Sequence, residues 1–176
     1  MVQIREMLDR LDELTFDKPM NYTKYDDMSY DFSFETPDGE SHDGIIEFSK
    51  SVIDTTAQTG DDTKKVYMEY AIDGTYEAFD TQGMHVQIVS TVIDSIKDWF
   101  KSHPDYQFLE YTAKAQNADK TDANNRQRVY SIVTKLLSKH HGFDVVINDP
   151  SAGHYLLKLR TEPESYENAS PVKVWK

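Results

Sequence analysis

Hydrophobic and polar positions divide the chain into segments of two different periods. Residues 3–15 place Ile4, Met7, Leu8, Leu11 and Leu14 on one stripe and Arg5, Glu6, Asp9, Arg10, Asp12 and Glu13 on the other side. Spacings of three and four residues predict an amphipathic helix, which Pro19 prevents from continuing. From 27 to 36 the period is two: Met28, Tyr30, Phe32 and Phe34 alternate with Ser29, Asp31, Ser33 and Glu35, which predicts a half-buried strand. Pro37-Asp38-Gly39 follows with turn chemistry, proline presetting φ and glycine accepting a positive φ. A second strand is predicted near 43–53 through Ile45, Ile46, Phe48, Val52 and Ile53, and the polar stretch 54–63 reads as a loop. Alternation resumes over 64–72 with Val66, Met68, Tyr70 and Ile72. Asp73-Gly74 then predicts a type I′ hairpin turn, which needs positive φ at both central residues, with 75–80 as the returning strand.

After Gly83 the pattern becomes helical. Ile88, Val89, Val92, Ile93, Ile96, Trp99 and Phe100 form a wide apolar face suited to packing on a sheet, and Pro104 follows its end. Residues 106–114 read as a strand with Phe108, Leu109 and Tyr111, and 117–125 are polar. A second long helix is predicted from about 122 to 140, with Val129, Ile132, Val133, Leu136 and Leu137 inside and Gly142 as its C-terminal cap. Strands at 143–148 and 154–160 close the pattern, joined by a turn with Asn148, Asp149, Pro150 and Gly153. The order is α-β-β-β-β-α-β-α-β-β. It predicts a single α+β domain over 1–160 with a mainly antiparallel central sheet and two long helices. Residues 161–176 read as an irregular tail, with Val172, Val174 and Trp175 able to pin its end to the core. The strand–helix–strand unit after Gly74 alone demands a parallel pairing.

Composition narrows the class. The 176 residues are 38% hydrophobic and 12% aromatic, enough for a core. With no cysteine, disulfides, thiolate metal sites and a cysteine nucleophile are excluded. No apolar run approaches the roughly 20 residues of a membrane helix, and the N-terminus lacks a signal-peptide pattern, so a cytoplasmic protein with no membrane partner is expected. Charge is uneven. Residues 1–80 hold 20 acids and 7 bases, a net −13, while residues 81–176 hold 11 acids and 12 bases, a net +1. The acidic half would repel a phosphate backbone, so nucleic-acid binding through it is not expected. Solubility and a solvated sheet face account for the acidity; the sharper reading is a surface that docks a basic protein face or imitates DNA.

The element order resembles the GNAT N-acetyltransferase superfamily, which has an antiparallel meander, a helix, a strand, another helix and a final hairpin. Residues 75–143 carry the resemblance best, and the order from 27 to 160 is compatible. In that family the helix after the meander opens with a glycine-rich turn whose backbone N–H groups hold the pyrophosphate of acetyl-CoA. The matching stretch here is Gln82-Gly83-Met84-His85-Val86-Gln87. The family's second helix often starts after an asparagine, carries a tyrosine whose phenol can protonate the leaving thiolate, and ends in Gly-Phe. Asn124 or Asn125, Tyr130 and Gly142-Phe143 look similar. The resemblance thus implies cofactor contacts at Gly83, Met84, His85 and Asn125 and an acid at Tyr130. The chain departs from the family's Q/R-x-x-G-x-G/A loop by keeping one glycine there, and the β-carbons of Met84, His85 and Val86 crowd an approaching phosphate. Twelve residues from Tyr130 to Gly142 also make the helix about two turns longer than the family's. The helix–strand–helix, with its Arg-x-x-x-Tyr-like start to the second helix, is also similar to small uncharacterised proteins of tailed bacteriophages.

Each candidate has a plainer reading. Gly83 also suits a simple turn before a helix, and Tyr130 an ordinary core tyrosine. Arg126 and Arg128 are candidate anion ligands or a solvated face; their place early in the helix opposes its dipole, a hint of a local anionic partner. His140-His141 suits the cation preference of a helix C-terminus better than a metal, since adjacent helical side chains point about 100° apart. Asp61-Asp62 with Asp54 lacks a calcium-loop spacing and reads as a solvated loop. The leading expectation is a non-enzymatic, phage-type accessory or interaction protein that needs no cofactor. An acetyl-CoA-dependent N-acyltransferase is the alternative, and an acidic inhibitor or DNA mimic the second.

Overall fold

Strand after strand, alternate side chains turn to one side of a seven-stranded sheet. The computed structural model describes residues 19–51, 53–74, 84–113 and 120–161, with 120–126 described as backbone only. In chain order the elements are β1 (Tyr22–Asp26), β2 (Ser29–Glu35), β3 (Ser41–Lys50), the short helix α1 (Thr56–Thr59), a 3-10 turn (Asp62–Lys64), β4 (Lys65–Ile72), the long helix α2 (His85–Ser102), β5 (Phe108–Thr112), the long helix α3 (Lys120–His140), β6 (Phe143–Asp149) and β7 (His154–Leu159). The sheet order is β1-β2-β3-β4-β5-β7-β6. Every neighbouring pair is antiparallel except β4 and β5, which run parallel with Lys65 opposite Phe108 and Tyr67 opposite Glu110. The fold is α+β with a mainly antiparallel sheet and two long helices, as the pattern predicts.

One sheet face supplies Tyr30, Phe32, Ile46, Phe48, Val66, Met68, Leu109, Tyr111, Tyr155 and Leu157. They form a single buried cluster with Ile88, Val92, Ile96 and Trp99 of α2 and Tyr130, Val133 and Leu137 of α3. Each fully buried large side chain contributes roughly 1.5–3 kcal/mol, so this layer dominates the folding energy. Polar atoms along the seam are paired as well. The Tyr22 and Tyr30 hydroxyls donate to Asp94 and Asp98 of α2, each at 2.8 Å. Gly44 lies opposite Phe32 in the β2–β3 register. A Cβ there would come within 2.1 Å of the Phe32 ring, so the close approach of ring and backbone requires glycine.

Turn chemistry matches expectation at Asp73-Gly74, where φ is +54° and +71°. Three features differ from the sequence reading. β1 was not foreseen, because its residues after Tyr22 are exposed and carry no apolar alternation. The polar stretch 54–63 contains α1 and runs into the 3-10 turn, held by backbone N–H bonds to the Asp54, Asp61 and Asp62 side chains rather than by apolar burial. The parallel neighbour of β5 is β4, ahead of Gly74, whereas the pattern placed the parallel unit after it. The expected helix 3–15, returning strand 75–80 and tail beyond residue 161 lie outside the described residues. No helix among the described residues is long and apolar enough to cross a membrane.

Candidate functional site

The residues nominated through the acetyltransferase resemblance divide between two places. Met84 is the N-cap of α2; it offers no side-chain cap, and its carbonyl accepts the Ile88 N–H at 3.0 Å. His85 opens the helix and is half-buried. In the same first turn, the side-chain oxygen of Gln87 is buried with no hydrogen-bond partner among the described residues. Gly83 lies outside the described residues. Tyr130 stands on α3 and is 1% exposed. Its ring packs 4.8 Å from Tyr111 of β5, 5.8 Å from Tyr70 of β4 and 6.4 Å from Tyr155 of β7. Tyr111 and Tyr155 have their phenols pushed up, in each case first by burial.

α3 begins at Lys120, so Asn125, Arg126 and Arg128 sit in its second and third turns rather than ahead of it. The structure describes Asn125 and Arg126 as backbone only, and it leaves Arg128 exposed. His141 is held below the ordinary histidine range, first by burial and then by Lys97 and His140. The loop acids are used internally. Asp54 accepts the Thr56 N–H, Asp61 the Thr63 N–H, and Asp62 the Thr55 N–H and the Thr59 hydroxyl. No group of three metal-ligating side chains occurs among the described residues.

The sheet's other face carries two arrangements that the sequence reading did not single out. The first is a buried charge cluster. The Lys65 ammonium of β4 and the Glu110 carboxylate of β5, both with no exposure, lie 3.2 Å apart. Lys65 also donates to the Ile53 carbonyl and the Thr55 hydroxyl, each at 2.5 Å, and lies 3.6 Å from Asp62. Glu110 accepts from His154 Nε2 at 2.7 Å and from the Ser51 hydroxyl. Parallel pairing of β4 with β5 brings the two charges together. The signal for it was a single acid inside the apolar run Phe108-Leu109-Glu110-Tyr111.

The second is a cleft of about 630 Å³ across β1, β2 and β3, lined by Asn21, Thr23, Asp31, Ser33, Asp43 and Ile45 and reaching Gly74. Register explains the lining. Thr23 faces Asp31, Asp31 faces Ile45, and Ser33 faces Asp43. Asp31 and Asp43 are thus diagonal neighbours, about 7–8 Å apart by strand geometry. Both residues are exposed, and neither carboxylate has an ion-pair partner among the described residues. Glu35 extends the acidic row along β2.

No protein-family model matches this chain, and no curated protein matches it. The functional reading therefore rests on the geometry just described.

Proposed function

We propose that this chain is a non-enzymatic accessory or interaction protein, of the type that small tailed-phage proteins represent, which docks a basic segment of a partner protein on its acidic outer sheet face. The observation that carries the reading is the cleft over β1–β3, where Asp31 and Asp43 line an open concavity without ion-pair partners among the described residues. Leaving two like charges as diagonal neighbours costs stability, and a partner that brings cations relieves the repulsion. Hydroxyl and amide groups of Thr23, Ser33 and Asn21 beside them supply hydrogen-bonding partners, and Ile45 an apolar floor. The surplus of acids in residues 1–80 extends the same field and disfavours nucleic acid as the partner. Tyr130 supports a structural rather than a proton-donating role, because at 1% exposure its ring is enclosed by aromatic neighbours.

The rival acyltransferase reading draws on the first turn of α2, where Met84 gives no side-chain cap and the buried Gln87 oxygen has no partner among the described residues. One titration series separates the two. With a lysine-rich peptide as probe, NMR shifts are expected at Thr23, Asp31, Ser33 and Asp43, weakening as salt screens the charges over a Debye length of about 10 Å at 0.1 M. Asp31→Lys with Asp43→Lys should abolish those shifts. In parallel calorimetry, acetyl-CoA should show no binding at micromolar affinity. A peptide that perturbs nothing in the cleft removes the docking reading, and clear acetyl-CoA binding reverses the ranking.

A further inference from the structure

The two edges of the sheet carry different side chains. β1 has five residues, all exposed after Tyr22, with Lys24 and Asp26 on either side of Tyr25. Charge on a short edge strand blocks pairing with another chain. β6 has seven residues and, among the described residues, pairs with β7 alone. Its middle is Val145-Val146-Ile147, and Val145 and Val146 are exposed at 41% and 37%. A bulge explains part of that exposure. Val145 faces Leu157 and Ile147 faces Leu156, so Val146 has no opposite residue on β7. The strand itself is fixed in place: Phe143 is 1% exposed and meets Phe100 of α2 with ring centres 5.5 Å apart.

An open apolar edge is a template for another strand, and three observations favour the same strand of a second copy. First, β6 complements itself when antiparallel. About a two-fold axis through Val146, Val145 opposes Ile147 of the other copy and Asp144 opposes Asn148. Branched apolar side chains then meet branched apolar side chains, and each carboxylate meets an amide that can donate to it. Moving the axis to lie between Val146 and Ile147 would instead set Asp144 against Asp149, like charges directly opposed. Second, both acids of β6 are already engaged within the chain. Asp144 accepts from Arg160 Nε at 2.8 Å, and Asp149 accepts the Ser151 hydroxyl and the Ala152 N–H. Third, the edge lies far from the acidic surface. The chain carries −12, yet residues 81–176, which contain β6, hold 11 acids and 12 bases. β3, the nearest of the strands that line the cleft, stands four places from β6 in the sheet, about 19 Å at about 4.8 Å per place. That exceeds the Debye length of about 8 Å at physiological salt, so repulsion between the acidic halves of two copies is screened.

We infer that β6 is a self-association edge: it pairs antiparallel with β6 of a second copy about a two-fold axis at Val146 and joins the two sheets into one. The contact is the same patch on both copies, so it closes at two chains and leaves the charged β1 edges outward. It is also small. A single strand pair falls at the low end of interface size, below roughly 1,200 Å², so the dimer is reversible and forms with rising concentration. Edge and cleft stand at opposite ends of the strand order, and the pairing holds whether or not the cleft docks a partner.

Sedimentation of the full chain tests this. From micromolar to millimolar concentration, the weight-average mass should climb from that of one chain towards twice that value. Val146→Lys, at an exposed position, should hold it at one chain, and Tyr25→Lys on the opposite edge should leave the wild-type behaviour. Crosslinking tests the register, and a chain without cysteine gives a clean background for it. In Val146→Cys the two thiols oppose each other with Cα atoms about 4.5–5.5 Å apart, inside the range that a disulfide spans. Oxidation with diamide should therefore yield a covalent dimer, whereas Ser33→Cys, exposed on β2, should stay as single chains. The inference is overturned if the wild-type chain stays monomeric at millimolar concentration, if Val146→Lys still dimerises, if Tyr25→Lys abolishes the dimer, or if Val146→Cys crosslinks no faster than Ser33→Cys. A monomer whose amides at 145–147 resist hydrogen exchange would assign the edge to another segment of the same chain and overturn it as well.

Discussion

The outer face of the sheet holds the same kind of group in two opposite situations. Over β1–β3, Asp31 and Asp43 are exposed and have no ion-pair partner among the described residues. Over β4, β5 and β7, Glu110 has no exposure and is met by Lys65, His154 and Ser51. A carboxylate in water is already solvated and lends the fold almost nothing. A carboxylate removed from water must be fully partnered, and removing one partner strands the other charge. Exposure and partners, not residue type, therefore separate the acids that brace the fold from those left available to a ligand.

Removing the buried charge should give the largest effect. Glu110→Gln leaves the Lys65 ammonium without its closest anion and should destabilise the protein by about 3–5 kcal/mol in urea unfolding. Replacing both partners by apolar residues, Lys65→Met with Glu110→Leu, should recover much of that loss. An unchanged midpoint for Glu110→Gln would erase the contrast between the two halves of the face. Gly44→Ala should come next. The added methyl would sit on the core face against the Phe32 ring, and Phe32 is only 4% exposed and has little room to move. Overpacking of this kind costs about 1–3 kcal/mol. A wild-type melting curve would mean that the core against β2 and β3 is softer than its packing indicates.

Asp62 lies between the extremes, partly exposed yet engaged by Thr55 and Thr59. Its carboxyl is pushed down to about 2, first by the bond from the Thr59 hydroxyl and then by that from the Thr55 amide. Because the folded value is below the ordinary 3.8, its stabilisation is present above that value and is lost as pH falls towards about 2. Asp62→Asn should lower stability in the neutral region and flatten the acid limb of the stability–pH curve in that window, the two curves converging as pH falls towards about 2. An identical acid limb in the variant would assign the effect to other carboxylates.

Local pattern determined a great deal here. Period-two alternation over β2 and β4, the wide apolar stripe of α2, the turn at Asp73-Gly74 and the glycine after α3 are each written within a few residues, because strand and helix periods depend on local geometry alone. Mean apolar content and the lopsided charge likewise announced a folded domain with an acidic half. Tertiary structure decided what no window could contain. β1 is a strand because β2 offers it an edge, not because its exposed residues prefer one. β4 rather than a later strand became the parallel neighbour of β5. Only that pairing brings Lys65 to Glu110, 45 residues away, and only the packing of α2 on the sheet brings His103 to Asp27, 76 residues away. Burial and ion pairing depend on distance in space, and separation along the chain carries no record of it.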